Sequence, residues 1–461
     1  MDTITRVSQE TQAEARSLWP AVLPVPDLMP WACFLASLTL FLLFAFRSWT
    51  LPILDPDYWW LRWAGEQMLM GIYPHANVLS WTSPDAAWIT HESAIELVYA
   101  LAGDRWIILI RGGVISATGL LLGFVAWRRS SALATTLALA WVTLLIVYGR
   151  GERALSWGNL MLAATLALLS GRPTSWRFAV ASIVVGIWAS VHGSFIIGVF
   201  IVAVYSWRWG LVAAVLSLAN PVGWRVWELI LGYGTSAGTK PFVHQALQEW
   251  FAPDLSDPLT ILRVGLLLLG GVMILWHGPW RGRVVWLTLT ALSLRYQRFM
   301  EIAAIASLPW FTDAIARIVP RYPMPSPVPL FAAATLGLAA LMPEKHFDGA
   351  KFPPGFPFAQ LTGHRLWNDY NLGGFLGEHG VKVFWDARVD CYPIAVLGDG
   401  STIETSHDER MQRLDDWRID TVVTARPAIA DQLAESGWSE SGQYGQLKVY
   451  RRSTATQQGP E

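Results

Sequence analysis

The chain has 461 residues, of which 53% are hydrophobic and only 15% charged, with a formal net charge of −1. Soluble domains carry about 25% charged residues, so a purely soluble protein is excluded, and without excess positive charge nucleic acid is not an expected partner. A mean hydropathy of +0.35 describes a polytopic membrane protein with room for some soluble mass.

Residues 1–27 are polar, lack the apolar core of a signal peptide and read as a cytoplasmic tail, domain 1–28. Apolar runs follow near 29–46, 106–127, 131–148, 155–170, 178–191, 194–206, 209–220, 260–276, 284–297, 300–316 and 326–342, which predicts about eleven transmembrane helices within 29–343. Many of the 27 tryptophans sit at the ends of these runs, as interfacial belts require. With the N-terminus inside, the inside segments hold Arg6 and Arg16, Arg128 and Arg129, Arg172 and Arg177, Arg208, Arg281 and Arg283, and Arg317 and Arg321. All are basic, as the positive-inside rule demands. The loops 47–94 and 221–259 and everything after 343 then lie outside. Cys33 and Cys391 are far apart in different environments, so no structural disulfide is expected.

The first outside loop, 47–94, is the longest polar interruption before the middle of the chain. Asp55-Pro56-Asp57 reads as a helix start, with Asp55 as cap and Pro56 in the first turn. Trp60, Leu61, Ala64 and Met68 share one face and Arg62 and Glu66 the other, which predicts an amphipathic helix along the membrane surface, stopped by Gly71 and Pro74. Residues 344–452 change character. HRLWNDYNLGGFLGEHG reads as helix and turn, VKVFWDARV as a strand, DERMQRLDDW as a helix, DTVVTA as a strand, AIADQLAESG as a helix and QLKVYRR as a strand: a small α/β domain. LGGFLG lacks the spacing and preceding strand of a dinucleotide fingerprint. Residues 453–461 read as a disordered tail.

Transfer of a sugar from a polyprenyl phosphate needs a carboxylate to take the acceptor's proton and cations to hold the leaving phosphate. Asp57 is the first candidate for the base and Asp55 the second; each also suits a plain capping role, and their spacing would admit a divalent metal. His91 and Glu92 are candidates for positioning substrate, as is His192 at an outer turn, against ordinary roles at a helix start and a turn. Arg295 and Arg298 are candidate phosphate ligands, or interfacial arginines reaching headgroups. Trp59 and Trp60 could stack on sugar rings or anchor at the interface. Arg111 stands inside an apolar run, and Arg150, Glu152 and Arg153 crowd one turn where mutual pairing is expected.

The stretch DPDYWWLRWAGEQMLMGIYPHANVLSWTSPDAAWITHE resembles the first outside loop of a family of uncharacterised bacterial polytopic proteins that is similar to the GT-C superfamily of membrane glycosyltransferases. IWASVHGSFIIG, LANPVGW, LQEWFAPD, LWNDYNLGGFL and VFWDARVDCY continue the resemblance in order. It implies a GT-C-like fold, a catalytic acid at Asp55 or Asp57, a polyprenyl-phosphate sugar donor, and a cell-envelope glycan, lipid or protein acceptor at the outer face of the bacterial plasma membrane. The acidic pair is DPD where the arabinose- and mannose-transferring branches have adjacent Asp-Glu. WNDYN is also similar to the WWDYG segment of oligosaccharyltransferases, with Asn368 in place of the second Trp and Asn371 in place of the Gly. Two other functions fit the same chain: a non-catalytic membrane assembly or transport component, and oligosaccharide transfer to protein. A cavity joining Asp55 or Asp57 to arginines favours an enzyme; a carboxylate spent on its own helix end favours a scaffold.

Overall fold

The computed structural model describes residues 28–146, 151–235, 248–343 and 346–452. The tails 1–27 and 453–461, and Arg150, lie outside the described residues. Helices α1 (Leu28–Thr50), α2 (Asp57–Leu69), α3 (Ser93–Arg129), α4 (Ala132–Leu145), α5 (Ala154–Leu169), α6 (Ser175–Trp188), α7 (Phe195–Tyr205), α8 (Trp207–Leu216), α9 (Arg225–Thr235), α10 (Pro258–His277), α11 (Trp280–Arg295), α12 (Phe299–Ile315) and α13 (Val328–Ala339) precede a small mixed region. Among the described residues three helical stretches are long and apolar enough to cross a bilayer, namely Leu28–Thr50, Trp106–Arg129 and Pro258–His277, and shorter apolar helices accompany them.

The packing centre is α12, whose side chains from Met300 to Thr312 are all buried. Bulky rings reach neighbouring backbones through small residues. A methyl added at Gly282 would lie 2.6 Å from Trp310, and one at Gly112 2.4 Å from the Trp49 ring. Ring atoms thus fill the space that a side chain would need. Trp49 also donates Nε1–H to Ser116 Oγ at 2.9 Å, so this deep indole is satisfied.

Gly103, at φ +58°, breaks α3 into two limbs. That backbone conformation is open to glycine at little cost. The limb before it carries Glu92, at its start, and Glu96 away from the apolar limb Trp106–Arg129. Arg111 on the apolar limb is buried and fully used: it donates to the carbonyls of Ser48, Leu51 and Pro52 and pairs with Glu152. Those carbonyls are the unpaired end of α1, where a cation is electrostatically favoured. Arg111 is therefore a clamp on a helix end. Glu152 and Arg153 pair with residues of other segments and not with each other.

Helix α2 departs from its sequence reading. An amphipathic surface helix would leave one face in the interface, but Tyr58, Trp59, Trp60, Leu61, Ala64 and Gly65 are all buried. One side meets the first limb of α3, so closely that a Cβ at Gly65 would sit 1.9 Å from the Glu96 carbonyl oxygen. The other meets α14 (Gly373–Glu378), where a Cβ at Gly374 would lie 3.1 Å from the Pro56 carbonyl. Its polar face is occupied by protein too, with Arg62 paired to Glu66, Asp104 and Glu378.

Residues 346–452 carry a four-stranded sheet of β1 (Leu366–Asn368), β2 (Thr421–Thr424), β3 (Ser439–Tyr444) and β4 (Leu447–Arg451), in the order β1-β2-β4-β3. β1 and β2 are parallel and the other pairs antiparallel. Helices α15 (Ile394–Thr405), α16 (His407–Asp416) and α17 (Pro427–Glu435) complete it. The readings of DERMQRLDDW, DTVVTA, AIADQLAESG and QLKVYRR match elements here, whereas VKVFWDARV is no strand and LWN, read as helix, is β1. VKVFWDARV instead runs against the first loop: Val383 bridges Ser80, and the Phe384 carbonyl accepts from Ser80 and Thr82. Its extended backbone is satisfied by loop residues about 300 positions earlier, which periodicity does not register.

The α2–α3 crossing yields a stability test. Gly65→Ala places a methyl against backbone, and overpacking of this kind costs about 1–3 kcal/mol. The thermal midpoint of Gly65→Ala in detergent should fall clearly below that of the parent, while Gly113→Ala, with nothing within 4 Å, should not. Equal midpoints for Gly65→Ala and the parent would contradict the close crossing.

Candidate active site

The first turn of α2, the entry to α3, the starts of α5, α7 and α12, and the segment Ala387–Asp390 converge on a cavity of about 470 Å³. Its polar end presents Asp57, His91, Glu92, Arg153, His192, Glu249, Arg298 and Asp390. Its other arm is apolar, walled by Ile196, Ile197, Phe200, Ile230, Leu289 and Ile302. One space thus joins a charged head to a greasy tail.

Arg153 organises the head. Its Nε lies 2.7 Å from Asp55 Oδ2 and 3.6 Å from Asp57 Oδ2, and its Nη1 lies 3.0 Å from Glu249 Oε2. Glu249 reaches on to Arg298 Nη1 at 3.2 Å, and the Arg298 guanidinium rests over the Trp250 ring at 4.3 Å. Arg153 and Arg298 are the residues that precede α5 and α12, so two helix N-termini face this spot behind two cations. Helix starts carry partial positive charge and attract anions.

The two aspartates divide their work. Pro56, not Asp55, is the N-cap residue of α2; Asp55 steadies the helix start by accepting the Asp57 backbone N–H at 3.1 Å and holds Arg153, and it does not line the cavity. Asp57 does, and accepts the Trp60 indole N–H at 3.3 Å. Burial and then the Asp55 charge raise the Asp57 carboxyl to about 7, with Arg153 pulling the other way. Burial also raises Glu92 and Asp390. His192 accepts the Ser194 backbone N–H on Nδ1 at 3.1 Å, and burial and then Arg298 hold its ring well below the ordinary histidine range, so it stands neutral with its proton on Nε2. His91 is lowered by burial, with Asp390 opposing.

Of the residues singled out in the sequence, Asp57, Trp60, His91, Glu92, His192 and Arg298 meet in this cavity. Trp59 does not; it is buried in an aromatic cluster with Phe347, Phe352 and Phe375. Arg295 is exposed beside Tyr296, outside the lining. Sequence reasoning left out Glu96, Glu249, Arg388 and Asp390, and treated Arg153 only as a turn residue. Its one signal for them was LQEWFAPD and VFWDARVDCY, the motifs that contain Glu249, Arg388 and Asp390. Among the described residues no three His, Cys, Asp or Glu side chains are grouped to hold a metal ion. The Arg153 guanidinium, facing both Asp55 and Asp57, stands where a cation shared by the pair would bind.

No protein-family model matches the chain, and no curated protein matches it. Solved structures to which it is similar include the archaeal oligosaccharyltransferase AglB from Archaeoglobus fulgidus in complex with an inhibitory peptide and a dolichol-phosphate, with a TM-score of 0.49 and 11% identity over 92% of this chain and 74% of that one. An Archaeoglobus fulgidus oligosaccharyltransferase in complex with Zn and sulfate aligns with a TM-score of 0.38 and 13% identity over 92% of this chain and 73% of that one.

The raised Asp57 carboxyl carries a stability prediction. A folded value of about 7 against 3.8 means that the fold prefers protonated Asp57. That contribution is complete below the unfolded value and is lost as pH rises through 7. Asp57→Asn does not titrate, so its unfolding free energy should gain on the parent's between pH 4 and 8, by on the order of a few kcal/mol. A pH-independent difference would show that Asp57 is ionised normally in the fold.

Proposed function

We propose that this chain is a membrane glycosyltransferase that moves a sugar from a polyprenyl-phosphate donor to a hydroxyl of a cell-envelope acceptor. The reading places the cavity's polar end at the outer face of a bacterial plasma membrane, with about eleven spans, the N-terminus inside and residues 344–452 outside. The observation that carries it is a single cavity joining Asp57, two arginines at helix starts and an apolar arm. A lipid phosphate needs those features together: cations and helix ends for the phosphate, and an apolar wall for the prenyl chain.

In the reaction, Asp57 accepts the proton of the acceptor hydroxyl. The acceptor oxygen attacks the anomeric carbon as the bond from that carbon to the phosphate oxygen breaks. The electron pair leaves with the phosphate, whose charge Arg298 and Arg153 neutralise. With one carboxylate acting, the displacement is direct and inverts the anomeric centre. A value of about 7 leaves Asp57 basic enough to take the proton and largely ionised just above neutrality. The charge balance supports donor entry as well: Glu249 now bridges Arg153 and Arg298, and a phosphate would take over one or both of its contacts.

The scaffold alternative expects both aspartates to serve helix α2. Asp55 already does so, and Asp57 lines the cavity. Transfer to protein gains nothing from WNDYN, because Asn368 and Asp369 are spent inside the C-terminal sheet region on Phe384, Trp385, Thr424 and Ala425 and none of Trp367–Asn371 lines the cavity.

Purified protein assayed for sugar transfer separates these readings. Asp57→Asn should insert and fold yet lose about 10²–10⁴-fold in rate, the usual cost of a missing positioned base. Asp55→Asn, which still accepts the backbone N–H at the helix start, should lose far less. The parent's kcat/KM should fall about tenfold per pH unit below about 7. Full transfer by the doubly substituted Asp55→Asn/Asp57→Asn protein would end the catalytic-carboxylate reading. A companion measurement concerns Arg298→Gln, which should weaken donor binding by about tenfold or more, the scale of one charge-assisted hydrogen bond. Unchanged donor affinity would mean that Arg298 only braces Glu249 and Trp250.

A further inference from the structure

Beyond Asp57 the cavity holds a second polar corner that the transfer step leaves unused. Glu96 is fully buried, lines the cavity, and neither oxygen of its carboxyl has a hydrogen-bond partner among the described residues. Arg388, also buried and lining the cavity, spends Nε and Nη2 on Asp386 and Asn77 while its Nη1 has no acceptor among the described residues. Unsatisfied buried groups of this kind are costly, about 1–3 kcal/mol each and more when charged, so two of them lining one cavity call for a partner that enters it.

The chemistry of the corner narrows the ligand. Burial, then the neighbouring Glu92 carboxyl, holds Glu96 well above the ordinary carboxylate range, with Arg388 opposing; this favours the protonated form, which offers an O–H donor beside a carbonyl acceptor. Glu92 lies one helical turn before it and is raised in the same way. Trp60 and Trp88 line the same cavity, with ring centroids 6.0 Å apart and planes at 76°, and the Arg388 guanidinium lies over the Trp88 ring at 4.4 Å, which leaves the Trp60 ring as the aromatic wall open to a ligand. An aromatic face beside groups that both donate and accept suits a molecule with C–H faces and adjacent hydroxyls.

We infer that Trp60, Trp88, Glu92, Glu96 and Arg388 form the subsite for the donor's sugar ring, with Glu96 and Arg388 Nη1 hydrogen-bonding adjacent ring hydroxyls. The assignment rests on the lipid-phosphate donor reading above. It makes Glu96 a specificity residue that senses the sugar and not the phosphate or the prenyl chain.

The test uses the purified full chain in nanodiscs, titrated by intrinsic fluorescence with a polyprenyl phosphate and with the same lipid carrying glucose, galactose, mannose or arabinose. The parent should bind at least one sugar-bearing lipid about tenfold more tightly than the bare lipid, the worth of one or two hydrogen bonds. Glu96→Ala should erase that gain and leave bare-lipid affinity unchanged, which also reports that the variant is folded. Glu96→Gln, which still donates and accepts, should keep part of it. A full gain in Glu96→Ala, or no gain for any sugar in the parent, would overturn the subsite. Failure of the parent to bind the bare lipid would instead overturn the donor reading, and the subsite with it.

Discussion

One guanidinium sets the terms of this site. Arg153 faces Asp55, Asp57 and Glu249 together, with both aspartates largely shielded from water. Three carboxylates cannot all be neutralised by one cation at short range, and partial burial makes any imbalance expensive. The shortest contact goes to Asp55, which thereby anchors the start of α2. Asp57 receives the longest, and burial and then the Asp55 charge raise its carboxyl to about 7. Glu249 draws in a second cation, Arg298. The raised Asp57 carboxyl and the paired Arg153 and Arg298 are thus products of a single competition for charge.

That competition needs a rigid frame, because shifts of about 1 Å would redistribute it. The frame comes from backbone contacts that side chains would prevent: Gly65 on the first limb of α3, and Gly374 on the start of α2. The C-terminal region closes the site through the first loop. Trp81 donates to the Leu366 carbonyl at 2.9 Å, and the Arg388–Asp386 pair is sealed against Asn77. Breaking a buried pair of that kind would cost several kcal/mol, so Ala387–Asp390 is held firmly as one wall of the cavity.

The apolar runs, the helical start at Asp55-Pro56-Asp57 and most of the C-terminal elements were legible in the sequence because each rests on local patterning. Asp57 was legible for a local reason too: two acids beside a proline at a helix start need only one of them as a cap. The remainder depends on contacts between distant segments. Arg153 meets Asp55 across 98 positions and Glu249 across 96, and Arg388 meets Asn77 across 311. No period encodes such meetings. Arg295 and Arg298 look equivalent in sequence; the end of α11 at Arg295 turns one outward, and the start of α12 turns the other into the cavity. Trp59 and Trp60 are adjacent, so a helical turn of about 100° per residue sends them to different neighbours. The surface-helix expectation for α2 failed because an amphipathic pattern reveals which faces differ, not what covers the polar one.

On the proposed function, the polar corner, the arginines and the apolar arm receive the sugar, the phosphate and the prenyl chain of one substrate. Such a function would alter a cell's lipid-linked sugars, and those are best measured directly. Mass spectrometry of polyprenyl-phosphate sugars and envelope glycans in a strain lacking this chain should show one lipid-linked sugar accumulating and one glycan losing the matching residue, both reversed when the parent chain is restored. Unchanged pools of both would contradict the account.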